Sequence, residues 1–266
     1  MIPFSPSGWT RIGPCETAIR AGLRFGDKGT HTSRTIMLSE LSDLLAALPG
    51  FATREDYASA IISDNVLGKQ TASTRRLTNQ RLGELYGLDP QIPIFRVLRR
   101  LWEIDWTGRP LLALLCALGR DPLLRATAPT VLSLEVGEEL VRSTFVEAVK
   151  QSAGDRLNDS ILDKVARNAG SSWTQSGHLE GRVRKIRKRV EPTPGAVVFA
   201  LWFGSLYSLS GEELLATPWT SVLDRTPPEL FDLVLRAKQL RLLHARIGGG
   251  VIEIDPTTLD PEAEVR

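Results

Sequence analysis

Cysteine is scarce in this chain, and so are the patterns of a cross-linked protein. The two cysteines, Cys15 and Cys116, stand about a hundred positions apart in a chain of 266 residues. A pair so sparse cannot form the disulfide framework of a secreted domain. We therefore expect a reducing, cytoplasmic compartment.

Long apolar runs are missing as well. The runs that come closest to a membrane span, residues 111–118 and 196–203, have eight residues each, whereas a bilayer-crossing helix needs about 20. We predict that both runs form buried core helices. The N-terminal stretch MIPFSPSGWTRIG has no charged head followed by an apolar segment, so no signal peptide and no membrane partner are predicted.

An excess of one charge sign is lacking too, because 33 Lys and Arg face 31 Asp and Glu, for a net charge of +2. The total therefore does not indicate nucleic-acid binding, but the distribution is uneven. Six of the eight residues 182–189 are basic, whereas residues 253–266 carry five acids and one Arg. The 42% hydrophobic content excludes a wholly disordered chain.

Catalytic and cofactor patterns are absent from the sequence. His31, His178 and His244 have no cysteine at metal-ligand spacing, so a zinc site is not expected. The stretch GLRFGDKGT lacks the G-x-x-x-x-G-K-[ST] spacing of a phosphate loop and is interpreted as a Gly-rich turn. No nucleophile elbow is present. We expect a protein that is not an enzyme and binds no metal or cofactor.

Helical periodicity is what the sequence does have, and it predicts a mainly α, two-lobed protein with a small C-terminal β-hairpin wing. We divide the chain into lobes 1–130 and 131–266, with the boundary in the looser residues 127–135. Residues 37–87 are predicted to form three short helices with a tight second turn, which is a helix-turn-helix pattern.

The second half predicts another helix-turn-helix, in which residues 158–160 cap a first helix and residues 170–172 form the turn. A second, basic helix would then place Leu179, Val183, Ile186 and Val190 in one apolar stripe. Because Gly177 and Gly181 are costly inside a helix, an alternative is a short helix, a break and then a basic helix. A helix at 227–243 before a hairpin around three glycines gives a winged-helix outline.

Two sets of polar side chains are candidate contacts to double-stranded DNA, because they face away from the predicted apolar stripes. Arg, Lys, Asn and Gln bind phosphates and base edges. The competing interpretations are a solvated basic helix and the ordinary polar face of a packed helix. The first-half candidates are Arg75, Arg76, Asn79 and Gln80, and the second-half candidates are Thr174, Gln175, His178, Arg182, Arg184, Lys185, Lys188 and Arg189.

Five ordered stretches carry a resemblance to a known family: DNVLGKQTASTRRLTNQRLGELYGLD, GRPLLALLCALGRDPLLRATA, ILDKVARNAGSSWTQSGHLEGRVRKIRKRV, PGAVVFALWFGSLY and GEELLATPWTSVLD. Over residues 64–259 the chain resembles the BrxA family of bacterial phage-defence (BREX) systems. The resemblance implies a mostly helical, cytoplasmic, non-enzymatic DNA-binding accessory that acts with other defence proteins. Residues 1–53 carry no part of this resemblance, and their role is open.

Two other function classes fit the same residues. A winged-helix transcriptional regulator would use the same motifs with a sharper sequence preference. A protein-interaction scaffold would have no affinity for DNA, which a net charge of +2 allows.

Overall fold

The computed structural model of the chain describes residues 8–9, 12–248 and 251–261. The protein is mainly helical, with two small antiparallel sheets of two strands each, as the periodicity predicts. The helices are α1 (Glu16–Arg20), α2 (Leu38–Ala47), α3 (Arg54–Ile62), α4 (Ala72–Tyr86), α5 (Pro93–Ile104), α6 (Arg109–Arg120), α7 (Pro122–Ala126), α8 (Ala128–Leu132), α9 (Arg142–Ala153), α10 (Asp159–Gln175), α11 (Pro194–Ser205), α12 (Pro218–Ser221) and α13 (Pro227–Gln239). The strands are β1 (Leu179–Glu180), β2 (Ile186–Arg187), β3 (His244–Gly248) and β4 (Val251–Asp255), and short 3₁₀ helices lie at Thr30–Thr32, Gly154–Arg156, Gly211–Ala216 and Thr257–Leu259.

Helices α6 and α11 are the buried core helices that the two apolar runs predict. They approach so closely at Gly119 that a Cβ there would lie 2.9 Å from the Cε1 atom of Phe203. Because the interior is close-packed, this contact requires glycine. Among the described residues, no helix has the length and apolar character needed to cross a membrane.

The segment predicted as the lobe boundary, residues 127–135, contains the short helix α8. Thr127, Ala128 and Val131 are completely buried there. The main core draws side chains from both sides of this segment, and a smaller cluster around Leu123 and Val149 lies beneath α9 and α10. The division into two lobes stays a prediction, and the two parts share one core.

The three helices predicted within residues 37–87 are confirmed as α2, α3 and α4, but the tight second turn is wrong. Residues 63–71 join α3 to α4, whereas a helix-turn-helix needs a turn of about three or four residues. Asn65 and Gly68 both adopt positive φ in this connection, at 54° and 61°. The Asn65 side chain accepts a 2.8 Å hydrogen bond from the Lys69 amide, so the longer loop is locally stabilised.

Helix α3 begins at a capping box, in which the Thr53 hydroxyl accepts from the Asp56 amide at 3.2 Å and the Asp56 carboxylate accepts from the Thr53 amide at 2.8 Å. We expect Thr53→Ala to lower the free energy of unfolding by about 1 kcal/mol, because it leaves helical N–H groups without a partner. Urea unfolding measures this loss. Thr53→Ser keeps the hydroxyl and should stay near the wild type; equal losses in both variants would contradict the assignment.

The predicted basic helix of the second half is wrong, because the chain forms the hairpin β1–β2 there. Helix α10 continues through the predicted turn at residues 170–172 and ends at Gln175. Gly177 and Gly181 then adopt φ values of 87° and 102°, which no α-helix accommodates. Val183, expected in the apolar stripe, is 85% exposed at the hairpin tip. The alternative prediction is a short helix, a break at Gly177 and Gly181 and then a basic helix. The break lies where that prediction places it, but a hairpin follows instead of a helix.

The C-terminal helix and hairpin are confirmed as α13 and β3–β4. The Thr226–Glu229 capping box begins α13, whereas the Ser210–Glu213 capping box begins a 3₁₀ helix. Strand β3 pairs antiparallel with β4, with His244 opposite Asp255. Residues 249 and 250 of the predicted glycine turn lie outside the described residues.

Candidate nucleic-acid interface

Residues 137–190 form a compact unit of two helices followed by a hairpin. Helices α9 and α10 are joined by residues 154–158, and the Asn158 side chain caps α10 by accepting from the Ile161 amide at 3.0 Å. Glu139 bridges Ile186, so the extended residues before α9 form a third edge beside β2. The order of strand, helix, helix and hairpin is that of a winged helix. The winged-helix outline around α13 stays a prediction.

Arg187 anchors the hairpin to the rest of the molecule. Its guanidinium pairs with the carboxylate of Asp224, with Nη1 3.0 Å from Oδ2, and its Nε donates to the Val131 carbonyl at 3.0 Å. The Arg187 residue is only 3% exposed. This member of the basic run 182–189 therefore holds the fold together and is not available to a ligand.

His178 lies at the base of the hairpin and is completely buried. Its Nε2 donates to the Val222 carbonyl at 2.7 Å, its Nδ1 lies 2.9 Å from the Ser176 hydroxyl, and its ring meets Trp173 edge-on. Burial lowers the pKa of His178 to about 4, so the ring is neutral at pH 7. The expectation that His178 faces a ligand is wrong.

The solvent-facing side of α10 carries one polar stripe. Ser160, Lys164 and Arg167 are exposed and Ser171 is half-buried, and their spacing of four, three and four residues places them on one helix face. Within the described part of the chain, Lys164 has no hydrogen-bond or ion-pair partner, while Arg167 pairs with Asp163 at 3.2 Å. We name these four residues the α10 stripe.

The hairpin tip beside α10 carries two exposed arginines. Arg184 pairs with Glu139, with Nε 2.9 Å from Oε2, whereas Arg182 has no partner among the described residues. A Cβ at Gly181 would lie 2.1 Å from the Arg184 carbonyl oxygen, so the tight tip requires glycine. The tip therefore presents Arg182 and Arg184 to solvent next to the α10 stripe.

Lys185 faces α10 and joins the hairpin to it. Its Nζ donates to the Thr174 hydroxyl at 2.9 Å, and its Cδ and Cε atoms would lie 3.2 Å from a Cβ at Gly170. Burial lowers the pKa of this amine. The expectation that Lys185 points away from the packed side is wrong.

The remaining second-half candidates already have partners. Lys188 pairs with Glu180 at 3.0 Å and Arg189 with Glu229 at 2.8 Å. The Gln175 side chain accepts from the Leu38 amide at 3.1 Å. Lys188 and Arg189 remain exposed and can exchange these acidic partners for a ligand, but they lie behind the tip.

The first-half candidates on α4 are divided. Arg76 and Gln80 are exposed and Asn79 is half-buried, and Gln80 donates to Glu84 at 2.9 Å. Arg75 donates to the Ile62 carbonyl at 2.8 Å and so closes the end of α3. The structure does not bring these residues to the α10 stripe.

Helices α4 and α10 lie on either side of the 3₁₀ helix Thr30–Thr32. The Thr30 hydroxyl donates to Glu84 at 2.8 Å, and His31 Nε2 lies 2.8 Å from the Ser172 hydroxyl. The 3₁₀ helix therefore separates α4 from α10.

A Ser–His–Asp cluster that the sequence does not suggest lies beneath α10. His31 Nδ1 is 2.7 Å from Asp121, and its Nε2 is 2.8 Å from Ser172. Burial raises the pKa of Asp121, but the charge and hydrogen bonds of His31 outweigh it and hold the pKa below its usual value. All three residues are at most 1% exposed, and the Ser172 hydroxyl also contacts the Asn168 carbonyl and the Ile36 amide. At this degree of burial, the cluster joins the 3₁₀ helix Thr30–Thr32, α10 and the start of α7.

Lys164 and Arg167 are not among the predicted contacts, because the predicted DNA contacts of the second half lie after the turn at residues 170–172, whereas these two residues lie on the helix before it. They alternate with the buried Leu162, Val165 and Ala169 at helical spacing. The polar face of this first predicted helix is the signal that indicates the stripe. No protein-family model matches the chain, and no curated protein matches it, so the interface is argued from its own geometry.

Proposed function

We propose that residues 137–190 bind duplex DNA, with α10 in the major groove and the hairpin tip against the adjacent phosphates. The observation that carries this proposal is the α10 stripe, flanked by Arg182 and Arg184. An α-helix fits the major groove, where Arg and Lys bind guanine edges and hydroxyls bind bases or phosphates. A basic hairpin beside such a helix reaches the sugar-phosphate backbone.

The distribution of charge supports the same unit. Residues 137–190 contain eleven Lys and Arg and seven Asp and Glu. Their net charge of 11 − 7 = +4 is twice that of the whole chain, which is +2. The rest of the protein is consequently slightly acidic. An excess of positive charge in this unit favours attraction of a polyanion there.

The biological setting follows from the resemblance to the BrxA family. It supports a non-enzymatic role in the bacterial cytoplasm, as a DNA-binding accessory of a phage-defence system with other defence proteins as partners. A winged-helix transcriptional regulator is the second candidate, and the winged-helix order of residues 137–190 favours it equally. A strong preference for one operator sequence would identify a transcriptional regulator. A weak sequence preference would identify the phage-defence accessory.

The test is binding of a fluorescent duplex measured by anisotropy at several salt concentrations. We expect the triple variant Lys164→Ala, Arg167→Ala and Arg182→Ala to bind at least about tenfold more weakly, and its salt slope to fall by about 2 to 3, because each lost phosphate contact removes about 0.9. The thermal midpoint should stay near the wild type, since all three side chains are exposed.

A matched control removes the same charge elsewhere. Arg236, Lys238 and Arg246 are exposed on α13 and β3 and have no partner among the described residues. Their triple replacement by Ala should leave DNA affinity within about threefold of the wild type. If both triple variants lost the same DNA affinity, binding would depend on net charge alone. If the wild type did not bind DNA, the protein-interaction scaffold would be the remaining function class.

A further inference from the structure

The segment from Asp27 to Leu38 runs along α10 on the side away from the hairpin. Asp27 pairs with Arg156 just before α10 begins. The His31 carbonyl accepts from Asn168 at 2.7 Å, and the Leu38 amide donates to Gln175 at the end of the helix. The segment therefore contacts the second half of α10, from Asn168 to Gln175, and also the connection that precedes the helix.

The α10 stripe lies between this segment and the hairpin. Asn168, Ser172 and Gln175 contact the segment, whereas Gly170 and Thr174 contact Lys185 of the hairpin. At about 100° per residue, the stripe occupies the arc between these two sets. Helix α10 is thus flanked by the hairpin on one side and by the segment on the other, and we call these two flanks its walls.

The wall formed by the segment is held firmly in place. Thr30 and His31 are 3% and 0% exposed, and the His31 ring is fixed between Asp121 and Ser172. The Ile36 amide donates to the same Ser172 hydroxyl at 2.9 Å. The Ser–His–Asp cluster therefore has a purpose in this arrangement, which is to fix the wall against α10.

Two cationic side chains lie along this wall. Lys28 is exposed and has no partner among the described residues, and the half-buried Arg34 side chain donates to the carbonyl of its neighbour Ser33 at 3.0 Å. Asp27, the acid of the segment, is neutralised by Arg156. Such a surface suits phosphate oxygens, which accept hydrogen bonds from Lys and Arg.

We propose that residues 28–35 form the second wall of the DNA site, with Lys28 and Arg34 binding one phosphate backbone while Arg182 binds the other. This inference rests on the proposed function. The major groove is about 12 Å wide and is bordered by one backbone on each side. A helix in the groove places both backbones beside its flanks, which is where the hairpin and the segment lie.

The experiment uses a double variant that carries both Lys28→Ala and Arg34→Ala. Its DNA affinity is compared with that of the triple variant Lys164→Ala, Arg167→Ala and Arg182→Ala. We expect the double variant to bind duplex DNA about three- to tenfold more weakly, with a salt slope lower by about 2. Replacing Arg236 and Lys238 by Ala is the charge-matched control and should leave affinity nearly unchanged. The single variant Lys28→Ala, at an exposed position, should lower the salt slope by about 1 and keeps the test valid if Arg34 proves to affect folding.

Hydroxyl-radical footprinting supplies a second readout. The wild type should protect both backbones bordering one major groove, and the double variant should lose protection on one strand only. If the double variant keeps wild-type affinity while the triple variant loses it, the second wall is wrong and DNA binding through α10 stands. If neither set of changes weakens binding, or the wild type does not bind, the proposed function itself fails.

Discussion

Replacement of Asp224 by Ala should lower the free energy of unfolding by about 3 to 5 kcal/mol, because it leaves the buried Arg187 charge without its partner. The Asp224 carboxylate accepts two hydrogen bonds from the Arg187 guanidinium, and it accepts a third, of 3.1 Å, from the Val190 amide. Urea denaturation followed by circular dichroism measures the loss. We also expect the variant to lose DNA affinity at temperatures where it remains folded, because the tip would no longer be held beside α10.

The control replaces both charges by apolar side chains of similar length, Arg187→Met with Asp224→Leu. Breaking a buried pair is costly because of the charge that remains, so the double variant should recover part of the stability lost by Asp224→Ala. A loss below about 1 kcal/mol in Asp224→Ala would show that Arg187 finds enough alternative acceptors, such as the Val131 carbonyl.

Lowering the pH from 7 to 4 should reduce the free energy of unfolding by about 3 kcal/mol through His178 alone. Burial lowers the pKa of His178 to about 4 in the folded protein, whereas the unfolded chain has the ordinary value of 6.5. As the pH falls from 6.5 to 4, His178 is protonated in the unfolded state but stays largely neutral in the folded state. The contribution of the neutral His178 ring to the free energy of unfolding is therefore fully present above pH 6.5, and it is lost as the pH falls toward 4.

Nearby charges act on His178 in opposite directions, since Asp224 raises its pKa and Arg187 lowers it. The measurement is the urea midpoint at half-unit pH steps in the wild type and in His178→Gln. The variant will be less stable at pH 7, because it loses the ring contact with Trp173, but its pH dependence between 6.5 and 4 should be flatter. Parallel curves for the two proteins would assign the pH dependence to other groups.

Local sequence signals predict much of this fold because they act within a few residues. The capping boxes at Thr53 and Thr226 and the apolar helices α6 and α11 need no distant partner to be recognised. The hairpin β1–β2 is different. Leu179, Ile186 and Val190 satisfy a helical period, and the deciding influences are Gly181 and a buried pairing with an acid 37 positions from Arg187.

The candidate site shows the same limit. Arg182 and Arg184 are predicted and lie at the exposed tip, whereas Lys164 and Arg167 are missed. Gly170 predicts a helix end by composition, but it lies inside α10 because Lys185 packs against it. A glycine that makes room for another element cannot be told from a glycine that ends a helix until that element has been placed.

The attachment of Arg187 to Val131 has a consequence for the kinetics of association. Val131 is a completely buried residue of α8, so the hairpin is tied to the core before any ligand arrives. A site already ordered in the free protein loses little conformational entropy on binding. Under the proposed function, association with DNA should then proceed in one concentration-dependent phase in stopped flow, without the slower unimolecular phase of a hairpin that orders after contact.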